Sequence, residues 1–222
     1  MFVVSLGGSL ICPDEIDTEF LSAFRELILS YAQKGERFIL ICGGGKVARQ
    51  YQEAASRISQ LSDEEMDWLG IAATKINAQL MHAVFPKEQL HAKIIDDPSQ
   101  KITSDRNIII CSGWKPGRST DYDAVLLAKQ FRAKVINLTN IDEVYDKDPR
   151  KFKDAKPLKS LAWKDFRKLV GSEWKPGMNA PFDPVAAREA EASGITVIVA
   201  GKDLANLKNI LDGKEFKGTL IQ

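Results

Sequence analysis

The sequence predicts an α/β fold, a three-layer sandwich around a mostly parallel sheet. Apolar runs of strand length alternate with helical patterns along the 222 residues. The runs lie at 2–6, 37–42, 107–111, 134–138 and 195–200, with a weaker run at 92–95 and a last edge strand at 219–221. Continuous apolar strands are typical of parallel sheets that helices cover on both faces. No long linker divides the chain, so we expect one domain over 1–222.

Helical patterns fill the segments between the strands. They lie at 14–34, 46–59, 62–84, 121–131, 183–193 and 203–212. The segment 62–84 begins with a capping box, in which Glu65 returns to the Ser62 amide. Asp183 and Pro184 open the helix at 183–193, and Gly194 closes it.

Composition excludes several classes of protein. The formal net charge of +1 gives no reason to expect a nucleic-acid surface. No apolar run approaches ~20 residues, so we expect no membrane span. Cys12, Cys42 and Cys111 share no metal-type spacing, and the only histidines are His82 and His91. We therefore expect a cytoplasmic protein with reduced cysteines and no metal site of its own.

Two glycine clusters each follow an apolar run and precede a helical pattern. Gly7-Gly8-Ser9 follows the first run, and Gly43-Gly44-Gly45-Lys46 follows the second. Uncovered N–H groups at the start of a helix form an anion site. A Gly-Gly pair can also serve merely to turn the chain. Two such sites predict that phosphate-bearing groups meet in one cleft lined by both loops.

The second cluster is the more informative of the two. Lys46 and Arg49 lie three residues apart on the first turn of the next helix and suit a phosphate monoester. The alternative is a solvated basic helix start. The spacing matches neither a Walker loop nor a dinucleotide-binding motif.

Two polar loops add candidate ligands. Thr120 and Asp121 stand at the start of the helix at 121–131, where Asp121 can also act only as a cap. The loop at 137–149 is too long for a minimal turn. It can hold a nucleoside through the Tyr145 ring and the Asp148 carboxylate. Taken without the other motifs, this segment is typical of a solvated loop.

Six motifs in order resemble the amino acid kinase superfamily, and within it the uridylate (UMP) kinases of archaeal type. They are Gly-Gly-Ser, Gly-Gly-Gly-Lys-x-Ala-Arg, Gly-Ile-x-x-Thr-x-x-Asn-Ala (70–78), Ser-Thr-Asp (119–121), Thr-Asn-Ile-Asp-x-Val-Tyr-x-x-Asp-Pro (139–149) and Asp-Pro-x-Ala-Ala (183–187). The resemblance covers nearly the whole chain and implies the amino acid kinase fold. It also implies transfer of the γ-phosphoryl group of ATP to UMP.

The resemblance implies a role for each matching position. An acceptor lobe (about 1–130) would bind UMP, and an ATP lobe (about 131–222) would bind ATP. The catalytic residues would be Gly8, Ser9, Lys46 and Asp183. UMP would be bound by Gly43, Gly44, Gly45, Arg49, Asp67, Gly70, Thr120 and Asp121. ATP would be bound by Gly7, Gly8, Thr139, Asn140, Tyr145 and Asp148. For Asp183, a plain N-cap is the alternative.

The same resemblance implies the partners and the chemistry. Mg²⁺ would accompany ATP, and the family usually forms a homohexamer. An oxygen of the UMP phosphate would be the nucleophile and would need no general base. Catalysis would then consist of placing two phosphates in line and spreading the transition-state charge.

The sequence departs from the family at several places. Ser5 stands where many members have a lysine, and the candidate replacements are Lys46, Lys115 and Lys175. Lys115 and Lys175 belong to two Trp-Lys-Pro-Gly segments, at 114–117 and 174–177, which also read as plain turns. Residues 177–182 lack the serine-rich stretch of relatives, and Glu143 replaces a common glycine. A kinase of this fold for another small acid or phosphate, or a non-catalytic nucleotide-binding or storage protein, remains an alternative.

Overall fold

The protein folds around a seven-stranded, mostly parallel sheet in a computed structural model that describes residues 1–171 and 180–222. The strands are β1 (Phe2–Leu6), β2 (Phe38–Cys42), β3 (Ile108–Cys111), β4 (Lys134–Leu138), β5 (Val144–Tyr145), β6 (Pro157–Leu158), β7 (Ser160–Leu161), β8 (Val197–Ala200) and β9 (Thr219–Ile221). The sheet order is β3-β2-β1-β4-β8-β9-β7, while β5 and β6 form a separate hairpin. Only the β8–β9 pair in the sheet is antiparallel. The predicted fold class is confirmed.

Helices cover both faces of this sheet. They are α1 (Gly8–Ile11), α2 (Thr18–Ala32), α3 (Gly45–Ile58), α4 (Asp63–Val84), α5 (Thr120–Phe131), α6 (Trp163–Val170), α7 (Pro184–Ser193) and α8 (Leu204–Leu211). One core layer packs α2, α4 and α8 against the sheet, and the other packs α5, α6 and α7. Alternate residues of β1 enter opposite layers, Val3 one and Val4 the other. No helix among residues 1–171 and 180–222 is long and apolar enough to cross a membrane.

The predicted helix ends are confirmed at two helices. Ser62 and Glu65 form the full capping box of α4. Asp183 caps α7, Pro184 is its first residue, and Gly194 ends it in the left-handed conformation.

Three expectations from the sequence were wrong. Asp121 does not cap α5, because the Ser119 side chain accepts the Tyr122 N–H instead. The segment 219–221 is not an edge strand, since β7 pairs on its outer side. The run at 92–95 forms only one isolated bridge, between Ile95 and Cys111 of β3.

Candidate active site

The two glycine loops contact each other at the carboxyl ends of β1 and β2. A Cβ atom on Gly8 would lie 2.5 Å from the Gly43 carbonyl oxygen and 2.6 Å from the Gly44 carbonyl carbon. Gly45 has a φ of +60°, and a Cβ there would lie 2.7 Å from the Gly8 Cα. Only glycine allows so close an approach of two main chains.

Both loops line one central cavity of about 410 Å³. Its lining is Ser5, Gly7, Gly8, Ser9, Gly43, Gly44, Gly45, Arg49, Thr120, Asp121, Asn137, Thr139, Asn140, Ala180 and Pro181. The expectation that the two loops share one cleft is therefore confirmed. The main-chain N–H groups at the starts of α1 and α3 adjoin this cavity, as an anion site requires.

A second cavity, of about 230 Å³, adjoins the central one, and we call it the acceptor-side cavity. Its lining is Gly44, Gly45, Ala48, Arg49, Gln52, Asp67, Gly70, Ile71, Thr74, Gly113, Arg118, Ser119 and Thr120. Gly44, Gly45, Arg49 and Thr120 line both cavities and mark where they join. All these residues lie within 1–130, the segment expected to form the acceptor lobe.

A third cavity, of about 470 Å³, adjoins the central one on the opposite side. Its lining is Thr139, Asn140, Ile141, Glu143, Val144, Tyr145, Asp146, Lys147, Asp148, Pro149, Arg150, Leu169, Val170, Ala180 and Pro181. Four of these residues also line the central cavity, among them Thr139 and Asn140. All lie within 131–222, so we call this the donor-side cavity.

These three cavities contain nearly all the site residues expected from the sequence. Lys46 is an exception, because its ammonium group pairs with Asp14. The Lys46 side chain is 36% exposed and the Asp14 side chain 84% exposed. Lys46 lines none of the three cavities. The structure thus gives its predicted catalytic role no geometric support.

Asp183 is the other exception. Its carboxylate accepts the Val185 and Ala186 N–H groups at the start of α7, and the residue is only 5% exposed. Its own N–H donates to Asp121 at 3.1 Å. Asp183 is therefore a buried N-cap that one hydrogen bond joins to Asp121 of the central cavity, and its catalytic role stays a prediction.

Ser5 and Asn137 supply the polar floor of the central cavity. They lie side by side on the parallel strands β1 and β4. The Ser5 hydroxyl donates to Asp121 at 3.1 Å, and the Asn137 amide donates to the Pro181 carbonyl at 2.9 Å. Sequence reasoning missed Asn137, although a polar residue within an otherwise apolar strand was the available signal.

A network of carboxylates lies behind this floor. Burial, together with the neighbouring Asp183, raises the pKa of Asp121 to about 7. Burial likewise raises the pKa of Asp123 to about 8. Asp123 is 1% exposed, and its Oδ1 has no partner among the described residues. A neutral carboxyl at Asp123 avoids an unpaired charge in the core.

Comparison with known proteins agrees with this architecture. The sequence profile described as the amino acid kinase family matches residues 1–201.

The chain belongs to the amino acid kinase family.

Its relatives include uridylate kinases over nearly the full length. The uridylate kinase of Thermoplasma volcanium is 35% identical over 99% of this chain and 96% of the relative. That of Pyrococcus abyssi is 34% identical over 99% of this chain and 98% of the relative. The crystal structure of uridylate kinase from Archaeoglobus fulgidus superimposes with a TM-score of 0.85 at 31% identity, covering 100% of this chain and 99% of that one.

In this amino acid kinase, hydrogen bonds to three side chains hold the loop between β3 and α5 beside the acceptor-side cavity. Thr74 accepts the Gly113 N–H at 2.8 Å, and Asp123 accepts the Trp114 N–H at 3.1 Å. Asp67 accepts the Gly117 N–H at 2.7 Å through one carboxylate oxygen. Burial raises the pKa of Asp67. These three side chains, from α4 and α5, fix the loop without using its own side chains.

That loop carries two basic residues with different surroundings. Lys115 lies over the Trp114 ring with its Nζ 3.9 Å from the centroid, and it lines none of the three cavities. Arg118 lines the acceptor-side cavity, and sequence reasoning missed it. Arg118 directly precedes the Ser-Thr-Asp motif at 119–121, but only the fold shows that it lines the same cavity as Asp67. Lys175 and its Trp-Lys-Pro-Gly segment lie outside the described residues, as do 177–179.

Tyr145 and Asp148 both line the donor-side cavity, and their contact with ATP stays a prediction. Tyr145 lies on β5, whose pairing with β6 closes one side of the long loop. Asp148 accepts the Arg150 N–H at 3.0 Å and pairs with its guanidinium, which lowers the pKa of Asp148. Glu143 also lines this cavity and is buried.

Proposed function

We propose that this amino acid kinase transfers the γ-phosphoryl group of ATP to UMP, giving UDP and ADP. The observation that carries the proposal is the row of three joined cavities, with two main-chain glycine loops in the middle one. Such a row fits two phosphate-bearing molecules placed end to end, as in-line transfer requires. The relatives named uridylate kinase support UMP as the acceptor.

The acceptor-side cavity would bind UMP, in the lobe formed by about 1–130. Main-chain N–H groups of Gly44 and Gly45 and the Arg49 guanidinium would hold its phosphate where the two cavities join. Asp67 has one carboxylate oxygen committed to the Gly117 N–H. Its second oxygen would accept from the ribose hydroxyls. Thr120, which lines both cavities, would help read the uracil side of the pocket, and Asp121 would line the path of the phosphate.

ATP would occupy the donor-side cavity, in the lobe formed by about 131–222. Tyr145 would contact the nucleoside, and Thr139, Asn140 and the Gly7-Gly8 loop would contact the phosphates. Mg²⁺ fits this arrangement, because hydroxyl and amide oxygens of Thr139 and Asn140 stand where the cavities join, and Mg²⁺ prefers oxygen ligands with several waters kept. When bound, Mg²⁺ would offset phosphate charge.

The residues present suit transfer between phosphates rather than acid–base chemistry. A UMP phosphate oxygen is already anionic near neutral pH and needs no base. The work of the protein is then to orient two anions and to stabilise charge through N–H donors fixed in advance. Gly8 and Ser9, at the first turn of α1, would supply such donors.

Ser5 stands where many family members have a lysine, and Arg49 is our candidate for the cation that replaces this lysine. It is the one basic side chain that lines the central cavity among the described residues. A guanidinium offers several donors in a planar fork, so one Arg49 side chain can contact both the accepting and the moving phosphoryl group.

A coupled assay with MgATP and four acceptors tests the proposal. UMP should turn over, whereas acetylglutamate and isopentenyl phosphate should not; CMP is included as the related nucleotide. Arg49→Ala should lose most of the UMP activity, and Arg57→Ala, which removes an exposed arginine of the same helix, should not. An unchanged apparent affinity for UMP in Arg49→Ala would refute the acceptor-site assignment. Nucleotide binding without turnover of any acceptor would favour a storage protein.

We further propose a homo-oligomer, a hexamer by family resemblance, in the cytoplasm. Tyr51, Ile58, Trp68 and Ile76 are large apolar residues exposed on α3 and α4, which is unusual unless a second subunit covers them. The three free, buried cysteines suit a reducing compartment. Light scattering after size-exclusion chromatography measures the assembly, and a monomer would refute the hexamer.

A further inference from the structure

Several polar side chains of the acceptor-side cavity already have hydrogen-bond partners within the protein. The Thr74 hydroxyl donates to the Ile71 carbonyl at 2.6 Å and accepts the Gly113 N–H. Gln52 uses its amide NH₂ on the Met66 carbonyl at 2.8 Å. Ser119 caps α5. Each of the three keeps some hydrogen-bonding capacity: Thr74 can accept one more bond, and Gln52 and Ser119 can each still donate and accept.

Arg118 is different, because it presents only donors. One of its five N–H groups donates to the Gly117 carbonyl at 3.1 Å. Its guanidinium carbon lies 4.5 Å from the centroid of the Tyr122 ring, which holds the plane of the group. The remaining N–H groups are available to a ligand in the cavity.

The position of Arg118 separates it from the phosphate end. Arg49 lines both the acceptor-side and the central cavity, whereas Arg118 lines only the acceptor-side one. A nucleotide whose phosphate lies at Arg49 must extend its sugar and base away from the central cavity. Arg118 is thus placed for the nucleoside, together with Asp67.

We propose that Arg118 is a specificity-determining residue that donates to the carbonyl oxygen at position 4 of the acceptor's pyrimidine ring. This inference rests on the proposed function and adds a residue that sets base preference. Uracil has an acceptor at that position, and cytosine has an amino donor. A guanidinium, which has only donors, pairs with the carbonyl oxygen of uracil. With cytosine, its N–H donor would face the amino donor of the base. The mismatch selects uracil, because polar groups buried without partners are strongly disfavoured.

The test compares kcat/KM for UMP and for CMP in the wild type, Arg118→Met and Arg118→Gln. Met keeps the length of the stem and removes every donor, so the UMP-to-CMP ratio should fall at least about tenfold. Gln can present either its oxygen or its NH₂, so Arg118→Gln should also narrow the ratio and should gain activity with CMP. Arg57→Met, at an exposed salt bridge, should leave the ratio unchanged.

Equal losses for both nucleotides in Arg118→Met would overturn the proposal, since they would indicate a phosphate contact or a purely structural role. An unchanged ratio in both Arg118 variants would overturn it as well. Titration calorimetry with UMP and CMP, without ATP, provides a second readout of the same preference. If the wild type turns over neither nucleotide, the proposed function fails, while the calorimetric ratio still decides the role of Arg118.

Discussion

The contact between the two glycine loops makes Gly8→Ala the most informative substitution in this chain. A methyl group at Gly8 would lie 2.5 Å and 2.6 Å from main-chain atoms of Gly43 and Gly44, whereas ordinary contact begins near 3.4 Å. The obstructing atoms belong to the main chain and cannot rotate away. The loops must therefore separate by ~1 Å, a displacement that costs on the order of 100-fold in rate at a site that aligns reactants.

The cost to stability follows from the same contact. Overpacking typically destabilises by about 1–3 kcal/mol. Gly8 lies in the first turn of α1 without a positive φ, so alanine there meets no backbone penalty and the whole loss comes from the clash. Urea unfolding gives the free energy, and a coupled assay gives kcat/KM for UMP.

Gly213→Ala is the matched control. Gly213 has a φ of +68°, but an added Cβ would meet nothing within 4 Å. This variant should lose about 1–2 kcal/mol of stability from its left-handed backbone and keep its activity. Gly45→Ala combines both penalties and should be the worst of the three. If Gly8→Ala turned over UMP as well as Gly213→Ala does, the two loops would not hold the phosphates.

Three further predictions concern charged groups. Asp183→Ala should lose about 1–2 kcal/mol in urea unfolding because a helix cap is removed; Asp183→Asn should retain the cap, and only a fall in its kcat would support the predicted catalytic role. The free energy of unfolding should decline as pH rises from about 4 to 8, because the unfolded Asp123 carboxyl ionises near 3.8 and the folded one near 8; a pH series on Asp123→Asn should show a shallower decline, and an equal slope would contradict the assignment. The fold loss of kcat/KM in Lys46→Gln should be at least about ten times smaller than the fold loss in Arg49→Gln, because Lys46 pairs with Asp14 at the surface. Equal losses would indicate that Lys46 takes part in the reaction.

Patterns along the chain predicted the elements whose signals are local. The strands β1 and β4, the Ser62 capping box and the Asp183 cap follow from adjacent residues, so they were predictable. The Ser119 cap of α5 was missed because Asp121 is an equally good capping residue by type. Only the fold shows that Ser5 engages Asp121 instead.

The site was predictable where glycines and loops mark it. Long-range neighbours were not predictable. Arg118 reaches the acceptor-side cavity through a loop whose N–H groups bind Thr74 and Asp67, which are 39 and 50 residues away from them in the sequence. The roles of Lys46 and Lys115 could not be resolved either. A lysine side chain is long and flexible, and the acidic or aromatic neighbour that holds it is a matter of tertiary structure.

The position of β1 between two groups of strands has a consequence for how specificity can change. With β2 and β3 on one side of it and β4, β8, β9 and β7 on the other, the two outer compartments, the acceptor-side and donor-side cavities, are lined by separate stretches of the chain. Substitutions in one compartment should therefore combine additively with those in the other, apart from the residues at their junction. In the proposed kinase, such modularity would let a new acceptor be accommodated without redesigning the proposed donor side.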